Sequence, residues 1–290
     1  MKEIKHNLHP ENIHRFGYDF EMLIKADPRF KAFVKPNPYG NLSIEFADPK
    51  AVLALNRSLL LAHYQIKGWR LPPDHLCPPI PGRADYLHYV SDLFPDKANL
   101  KGLDIGTGAS GIYALLGASL FNWDFIASDI DKKSLLNVAR ILSHNPQLQD
   151  KIELRHQENS RFIFRNVLEM DERMDFTICN PPFHTSAKEA AQGTQRKNRN
   201  LKLNTKTLNF GGKNNELWYP GGELKFVSLM IRESEGFQKN CTWFTSLISK
   251  KENLPHLLKV IEEMGASPKI VDMSQGQKKS RMLAWSYGKL

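Results

Sequence analysis

The residues best suited to do chemistry form one short turn, Asn180-Pro181-Pro182-Phe183, which directly follows an apolar run. Proline fixes its own backbone and has no N–H donor. The groups left to bind a ligand are therefore acceptors, namely the side-chain oxygen of Asn180 and the carbonyl oxygen of Pro181. Phe183 adds a planar ring beside them. Such a turn can accept two hydrogen bonds from a planar amino group and stack the ring to which that group is attached.

The chemistry predicted for this turn is transfer of a group to an amino nitrogen. The exocyclic nitrogen of adenine is a poor nucleophile, because its lone pair is delocalised into the ring. Two acceptors can pull the amino group toward tetrahedral geometry and stabilise the positive charge that develops during attack. Alignment of the incoming group supplies much of the rate. This reaction requires neither a metal ion nor a covalent nucleophile, so we expect no metal site.

A glycine-rich stretch at 104–111, Asp-Ile-Gly-Thr-Gly-Ala-Ser-Gly, could bind a nucleotide-like ligand. It lies between a short apolar run and a mostly apolar stretch of helical length, which predicts a strand, a tight turn and a helix. Glycine suits a turn where a ligand approaches the backbone, and the helix start offers free N–H groups. The spacing Gly106-x-Gly108-x-x-Gly111 also fits dinucleotide-binding proteins. Asp104, however, favours a ligand that carries a positive charge over an anionic pyrophosphate.

A second acid, Asp129, ends the next predicted strand and is followed by Ile130. A carboxylate at that position accepts hydrogen bonds from ribose hydroxyls, so it indicates an adenosine-containing ligand. Asp131 is the alternative candidate, because one of the two acids could instead cap the helix that begins near Lys132.

The pattern Asp-x-Gly-x-Gly at 104–108 resembles the first motif of the S-adenosylmethionine-dependent methyltransferases, whose ligand carries a sulfonium and an ammonium group. Together with the turn at 180–183, the chain resembles the class I amino-methyltransferases. This resemblance implies S-adenosylmethionine as the methyl donor and S-adenosylhomocysteine as the product. It places the cofactor at Asp104, Gly106, Thr107, Gly108, Gly111, Asp129, Ile130 and Asn180.

The elements that must position these residues alternate regularly from residue 100 onward. The predicted strands are 100–105, 123–128, 152–155, 174–179, 242–248, 268–273 and 282–287, and the predicted helices are 112–120, 132–144, 221–235 and 250–264. Alternation of this kind favours a mostly parallel, doubly wound α/β sheet of Rossmann-like type. Ligands on such sheets bind at the carboxyl ends of the strands, where Gly106, Asp129 and Asn180 all fall.

The first 82 residues are predicted to form an amino-terminal extension. Short helices are expected near 19–25 and 28–34, and a longer helix begins at Asp48-Pro49 and ends by Gly68. A proline-rich linker at 71–82 and a helix at 83–94 then lead to the first strand of the sheet. We expect the aromatic residues here to form a small core, and the basic residues to line a groove for a phosphate backbone. Those basic residues are Lys25, Arg29, Lys31 and Lys35.

A net charge of +9 over 290 residues suggests a polyanionic partner, most simply nucleic acid. The alternative is a basic surface without a partner. The charge is concentrated in a long basic loop at 187–220, directly after the turn, where it can cover a flipped nucleotide and hold neighbouring phosphates. Its candidate RNA-binding residues are Lys188, Arg196, Lys197, Arg199 and Lys202. The other possibility is a flexible loop with no ordered role.

Three cysteines, far apart in the sequence, form neither a metal-ligand cluster nor an obvious disulfide set, which fits a reducing cytoplasm. The amino terminus lacks the apolar core of a signal peptide. No apolar run approaches the roughly 18 residues that a membrane span needs. We therefore expect a cytoplasmic protein with no membrane segment. A monomer is a separate expectation, which these features do not decide.

Four segments make the resemblance more specific, namely 46–52, 81–86, 221–227 and, around the glycine-rich stretch, 103–110. They resemble the bacterial ribosomal RNA large-subunit methyltransferase F family, which is related to the eukaryotic methyltransferase-like 16 proteins. The resemblance covers nearly the whole chain. It implies N6-methylation of one adenine in 23S ribosomal RNA, free or in a precursor particle, and a contact between Arg83 and the cofactor carboxylate. The chain then divides into an RNA-binding extension and linker at 1–82 and a methyltransferase domain at 83–290.

Three alternatives are weighed at this point, namely a different amino acceptor, an RNA-binding assembly factor and an oxidoreductase. Many adenine and glutamine methyltransferases have Tyr where this chain has Phe183, and guanine-N2 enzymes can carry the same turn followed by His184. The acceptor could therefore be guanine N2 or a protein glutamine. The chain could also be a catalytically silent RNA-binding assembly factor, although intact Asp104, Asp129 and Asn180 disfavour it. A nicotinamide oxidoreductase is disfavoured by Asp104 and by the turn.

Overall fold

A seven-stranded sheet forms the centre of the fold in the computed structural model, which describes residues 7–73, 75–186, 188–189, 217–275 and 278–288. Its strands in chain order are β3 (Lys101–Ile105), β4 (Asp124–Asp129), β5 (Ile152–His156), β6 (Met174–Cys179), β7 (Cys241–Ile248), β8 (Ser267–Gln275) and β9 (Lys278–Ser286). The seven predicted strands are all present, with ends shifted by a few residues.

The strand order is β5-β4-β3-β6-β7-β9-β8. Strands β5, β4, β3, β6 and β7 run parallel to one another, whereas β9 runs antiparallel to both β7 and β8. The chain moves outward from β3 in one direction through β4 and β5, and then returns to add β6 on the other side of β3. The carboxyl ends of β3 and β6 therefore flank the topological switch point, where doubly wound sheets bind ligands.

Helices cover both faces of the sheet, as predicted. They are α3 (Ile80–Ser91), α4 (Ile112–Phe121), α5 (Lys132–Leu142), α6 (Pro146–Gln149), α7 (Gly222–Ser234) and α8 (Leu254–Glu263). One buried core contains Leu115 of α4 and Val138 of α5. The other contains Val227 of α7 and Leu257 of α8. The two hydrophobic cores thus fix the positions of the strand ends relative to one another.

The amino-terminal extension contains short 3₁₀ helices at Ile13–Phe16 and Pro28–Phe33, with helix α1 (Phe20–Ala26) between them. A two-stranded hairpin of β1 (Val34–Pro36) and β2 (Leu42–Ile44) follows, and then helix α2 (Pro49–Tyr64). Asp19 and Asp48 cap the two α-helices through their side chains. Helix α2 ends at Tyr64, within the predicted limit of Gly68, and Gln65 after it adopts a left-handed φ of 56°.

The extension shares a core with the sheet. Leu23 and Phe30 of the extension are buried in the same apolar cluster as Leu115 and Phe125 of the sheet layers. The predicted linker at 71–82 is also partly helical, since α3 begins at Ile80 rather than at 83 and carries proline in its first turn, where proline is favourable. Among the described residues, no helix is both long enough and apolar enough to span a membrane.

Candidate active site

The turn after β3 opens a cavity at the carboxyl end of the sheet. Gly106 has a φ of 69°, and a Cβ atom added there would meet no other atom within 4 Å, so its backbone faces open space. The backbone N–H of Thr107 donates to the carbonyl of Ser128 at 2.9 Å, which ties the turn to the end of β4. Gly106, Thr107 and Gly108 all line the cavity.

Two predicted cofactor residues, Asp104 and Gly111, lie behind this turn and are not among the described residues that line the cavity. Asp104 is buried and accepts a hydrogen bond from the Thr107 hydroxyl at 2.6 Å. Burial raises the pKa of Asp104 to about 7. Gly111 has a φ of 57°, and a Cβ there would lie 2.8 Å from a methyl carbon of Val138. Glycine at 111 is therefore needed for helix packing.

The two neighbouring acids after β4 have different tasks. Asp129 lines the cavity, and its two carboxylate oxygens accept from the backbone N–H groups of Gly108 and Asp131, each at 2.8 Å. Asp131 also borders the cavity, but it caps helix α5 by accepting from the Lys133 backbone at 3.0 Å. Ile130 between them lines the cavity and is 44% exposed. The capping role left open by the sequence thus belongs to Asp131.

The Asn-Pro-Pro-Phe turn follows β6 directly. Asn180 and Pro182 line the cavity, and Pro181 is buried. The side-chain oxygen of Asn180 is buried without a hydrogen-bond partner among the described residues. An unpaired buried acceptor is costly, so this oxygen is available for a donor from a ligand.

Phe183 lines a second cavity instead of the first. Arg83 and Asn180 line both cavities, so they stand between the two spaces. Leu247 and Met273 add apolar walls to the second cavity, and Ser249 and Ser280 add hydroxyl groups. The arrangement can hold two ligands side by side with Asn180 at their junction.

Several residues that line the first cavity were missed by sequence reasoning. They are His75 and Leu76 in the proline-rich stretch, Tyr113 in α4, Gln157, Ser160 and Phe162 after β5, and Trp218 and Tyr219 before α7. A Trp-Tyr pair just before two glycines was the available signal for the last two. The backbone of His184 bonds to Leu217 and Tyr219, each at 3.0 Å, and thereby brings that segment to the turn.

The predicted RNA-binding residues of the extension are all exposed, namely Lys25, Arg29, Lys31 and Lys35. Arg29 is paired with Asp27 at 3.1 Å, whereas the ion pairs of the described residues include none of the three lysines. Lys188 is also exposed. Arg196, Lys197, Arg199 and Lys202 lie outside the described residues.

A polar cluster away from the glycine turn was not predicted. Potential ligand atoms of His9, Glu11 and His88 lie within 4.8 Å of one another. The Lys97 ammonium lies 3.4 Å from Glu11 and 2.8 Å from Asp92, so the cluster already holds a cationic group.

The strand order, with the glycine turn, Asp129 and Asn180 at adjoining strand ends, defines a class I methyltransferase. A family model described as RNA methyltransferase matches residues 2–289, and the chain belongs to this family.

Relatives of known name agree with this assignment. "Ribosomal RNA large subunit methyltransferase F" of Shewanella sp. (strain MR-4) is 50% identical over 298 residues, covering 98% of this chain and 82% of the relative. The protein of the same name from Flavobacterium psychrophilum is 48% identical, covering 98% of this chain and 94% of the relative. The resemblance found in the sequence is confirmed.

Solved structures agree as well. The human Mettl16 catalytic domain in complex with the MAT2A 3′UTR hairpin 1 matches with a TM-score of 0.84 and 31% identity, covering 97% of this chain and 96% of that one. The amino-terminal domain of human METTL16 in complex with SAH matches with a TM-score of 0.78 and 30% identity, covering 97% and 99%. The predicted fold class is confirmed.

Proposed function

We propose that this protein transfers the methyl group of S-adenosylmethionine to the exocyclic N6 of one adenine in 23S ribosomal RNA, in the cytoplasm and as a monomer. The observation that carries the proposal is the buried, unpartnered side-chain oxygen of Asn180 between two cavities. The names of the relatives support ribosomal RNA of the large subunit as the substrate. The structural similarity of this chain to the Mettl16 catalytic domain, which was solved with an RNA hairpin, supports RNA as the class of substrate.

The first cavity fits the proposed cofactor. Gly106 leaves room for a ligand against the backbone, and the Asp129 carboxylate can accept from ribose hydroxyls. Ile130 and Phe162 offer apolar surface to an adenine ring, and Arg83 offers donors to a carboxylate. When bound, S-adenosylmethionine supplies an electrophilic methyl group. The buried Asp104 is hydrogen-bonded to Thr107 of the glycine turn, and its side chain favours a cationic ligand nearby when it is ionised.

Asn180 and Pro181 act on the acceptor. The Asn180 side-chain oxygen and the Pro181 carbonyl accept one hydrogen bond each from the amino group of the target base. These two bonds favour tetrahedral geometry at nitrogen and stabilise its developing positive charge. S-adenosylmethionine held by the residues of the first cavity would supply the methyl group that bonds to this nitrogen. S-adenosylhomocysteine would be the other product, and the amino proton would leave to water.

The second cavity is the proposed place of the target base. Phe183 can stack on the base, and Leu247 and Met273 add apolar walls. A base inside a structured RNA must leave its stack to reach such a site. The exposed lysines of the extension, and the basic loop after the turn, would hold the surrounding phosphates.

The proposal is tested by replacing Asn180 with Ala. Because Pro181 and Pro182 fix the turn, Asn180→Ala should fold and should still bind S-adenosylhomocysteine in calorimetry. Turnover on 23S ribosomal RNA should fall by roughly 100-fold or more, the usual cost of removing one preorganised transition-state partner. Phe183→Ala should weaken RNA capture by about 1–3 kcal/mol, while the matched variant Phe183→Tyr keeps the stacking ring.

The identity of the methylated nucleoside shows which base is the methyl acceptor. Nucleoside mass spectrometry of the methylated RNA should detect N6-methyladenosine. Detection of N2-methylguanosine would overturn the adenine assignment and leave the amino-transfer site standing. Normal turnover by Asn180→Ala would overturn the site itself.

A further inference from the structure

Arg83 and Tyr113 meet at the boundary of the two cavities. Arg83 comes from the first turn of α3 and Tyr113 from the first turn of α4. One terminal nitrogen of the guanidinium donates to the Tyr113 hydroxyl at 2.6 Å, and the guanidinium carbon lies 5.4 Å from the centre of the Tyr113 ring. Both side chains line the first cavity, and Arg83 also lines the second.

Tyr113 is the fixed member of this pair. It is only 4% exposed, and the Tyr86 ring packs against it edge-on with centroids 5.5 Å apart. The Tyr86 hydroxyl lies 2.7 Å from the Thr245 hydroxyl, which donates to the Thr177 carbonyl at 2.6 Å. Tyr113 is thus packed against a residue anchored on β6 and β7. An arginine side chain has many rotamers, so the bond to a fixed phenol selects one of them.

The pair keeps donors that no described residue uses. The Nε of Arg83 is buried without a hydrogen-bond partner among the described residues. Arg83 also forms no ion pair with a described carboxylate. Burial raises the pKa of Tyr113 to about 12, so its hydroxyl keeps its proton at neutral pH while it accepts the bond from Arg83. Buried guanidinium donors fit a planar carboxylate or a phosphate.

We propose that Tyr113 is a positioning residue, whose hydroxyl holds Arg83 so that its remaining donors meet the amino-acid carboxylate of the cofactor. This inference rests on the proposed function. The carboxylate is favoured over an RNA phosphate because the Tyr113 bond holds the guanidinium at the first cavity, which also contains Gly106 and Asp129. In the absence of that bond, Arg83 could turn toward the second cavity.

The test compares two ligands that differ only in the amino-acid portion. S-adenosylhomocysteine carries the carboxylate, whereas 5′-methylthioadenosine has the same adenosine and sulfur without it. Tyr113→Phe removes one oxygen and keeps the ring that packs against Tyr86. Calorimetry should show that its Kd for S-adenosylhomocysteine rises by about tenfold, as expected for one lost hydrogen bond to a charged group. Its Kd for 5′-methylthioadenosine should stay at the wild-type value.

A double-mutant cycle and a matched control complete the experiment. Arg83→Gln should raise the Kd for S-adenosylhomocysteine at least as much as Tyr113→Phe does. Adding Tyr113→Phe to Arg83→Gln should cause little further loss of affinity, because the two residues act as one unit. Tyr86→Phe removes a buried hydroxyl bonded to Thr245 instead of Arg83, and it should leave the ratio of the two Kd values unchanged.

Three outcomes would overturn the inference: equal weakening of both ligands by Tyr113→Phe, no weakening of either, or additive losses in the double variant. The first would indicate a structural role for Tyr113, and a thermal melt would show it as lost stability. If the wild-type protein bound neither ligand, the proposed function itself would fail, whatever the variants did.

Discussion

At the scale of single residues, Asp129 and Asp131 lie two positions apart and differ in the groups that donate hydrogen bonds to their carboxylates. Asp129 accepts from the Gly108 and Asp131 backbones, so its carboxylate is held at the cavity wall. Asp131 accepts from the backbone of Lys133 and from the hydroxyl of Ser134, which is the pattern of a helix cap. We therefore propose Asp129, and not Asp131, as the acid that binds the cofactor ribose.

The two acids provide a matched pair of variants with the same change in charge. Asp129→Ala should weaken S-adenosylmethionine binding by about 1–3 kcal/mol, the range for losing a partner of buried polar groups. Asp131→Ala should mainly lower the melting temperature, since a lost cap costs about 0.5–2 kcal/mol of stability. Calorimetry and thermal melts on both variants measure these effects. The assignment is wrong if Asp131→Ala weakens binding more than Asp129→Ala does.

At the scale of elements, the glycine turn joins β3 to α4 and uses its glycines in two ways. Gly106 faces open space at the cavity, whereas Gly111 faces Val138 of α5. Both have positive φ, so a side chain at either position is strained. The difference lies in what the added carbon would meet, namely open cavity space at 106 and the Val138 side chain at 111.

Alanine at these two positions should separate binding from stability. Gly106→Ala should reduce cofactor affinity at least tenfold, because the new methyl group occupies ligand space. Gly111→Ala should lower stability by about 1–3 kcal/mol, because the packed Val138 leaves no room. Calorimetric Kd and denaturant unfolding should be measured on both variants. Equal effects of the two substitutions on both quantities would contradict this division.

At the scale of the whole molecule, the chain carries a net charge of +9. Its amino-terminal extension shares a hydrophobic core with the sheet. Lysines on that extension are therefore carried on a packed scaffold, at a fixed position relative to the sheet. Lys25, Lys31 and Lys35 are exposed, and the ion pairs of the described residues include none of them. We propose that these three lysines hold an RNA backbone.

Replacing these three lysines with Ala should weaken RNA binding and flatten its salt dependence, by about 0.7 in slope for each lost contact to single-stranded RNA. A matched control removes three exposed lysines from the carboxyl-terminal half, Lys239, Lys259 and Lys269. Fluorescence titrations at several salt concentrations measure the slope. If both triple variants lose the same slope, the charge acts without a defined groove, and the extension has no special role.

The sequence by itself determined the helices and strands, and it determined that the candidate ligand-binding residues follow the carboxyl ends of strands. A glycine turn after an apolar run, an acid after the next strand and Asn180 after a third are local patterns, and a parallel sheet brings their carboxyl ends together whatever the side-chain packing. These patterns sufficed to predict the strands and the fold class, because periodicity and turn residues act over a few positions. The family was predicted separately, from the resemblance of whole segments to its known members.

Only the tertiary structure showed which side chains line the two cavities. Gly111 and Asp104 are not among the described residues that line the first cavity, and Phe183 lines the second cavity with Met273. Tyr113 contacts Arg83 from a different helix. These relations join residues distant in the chain, and they depend on helix packing and on side-chain rotamers. Neither is written in local sequence, since the same strand–turn–helix pattern can be packed with different neighbours.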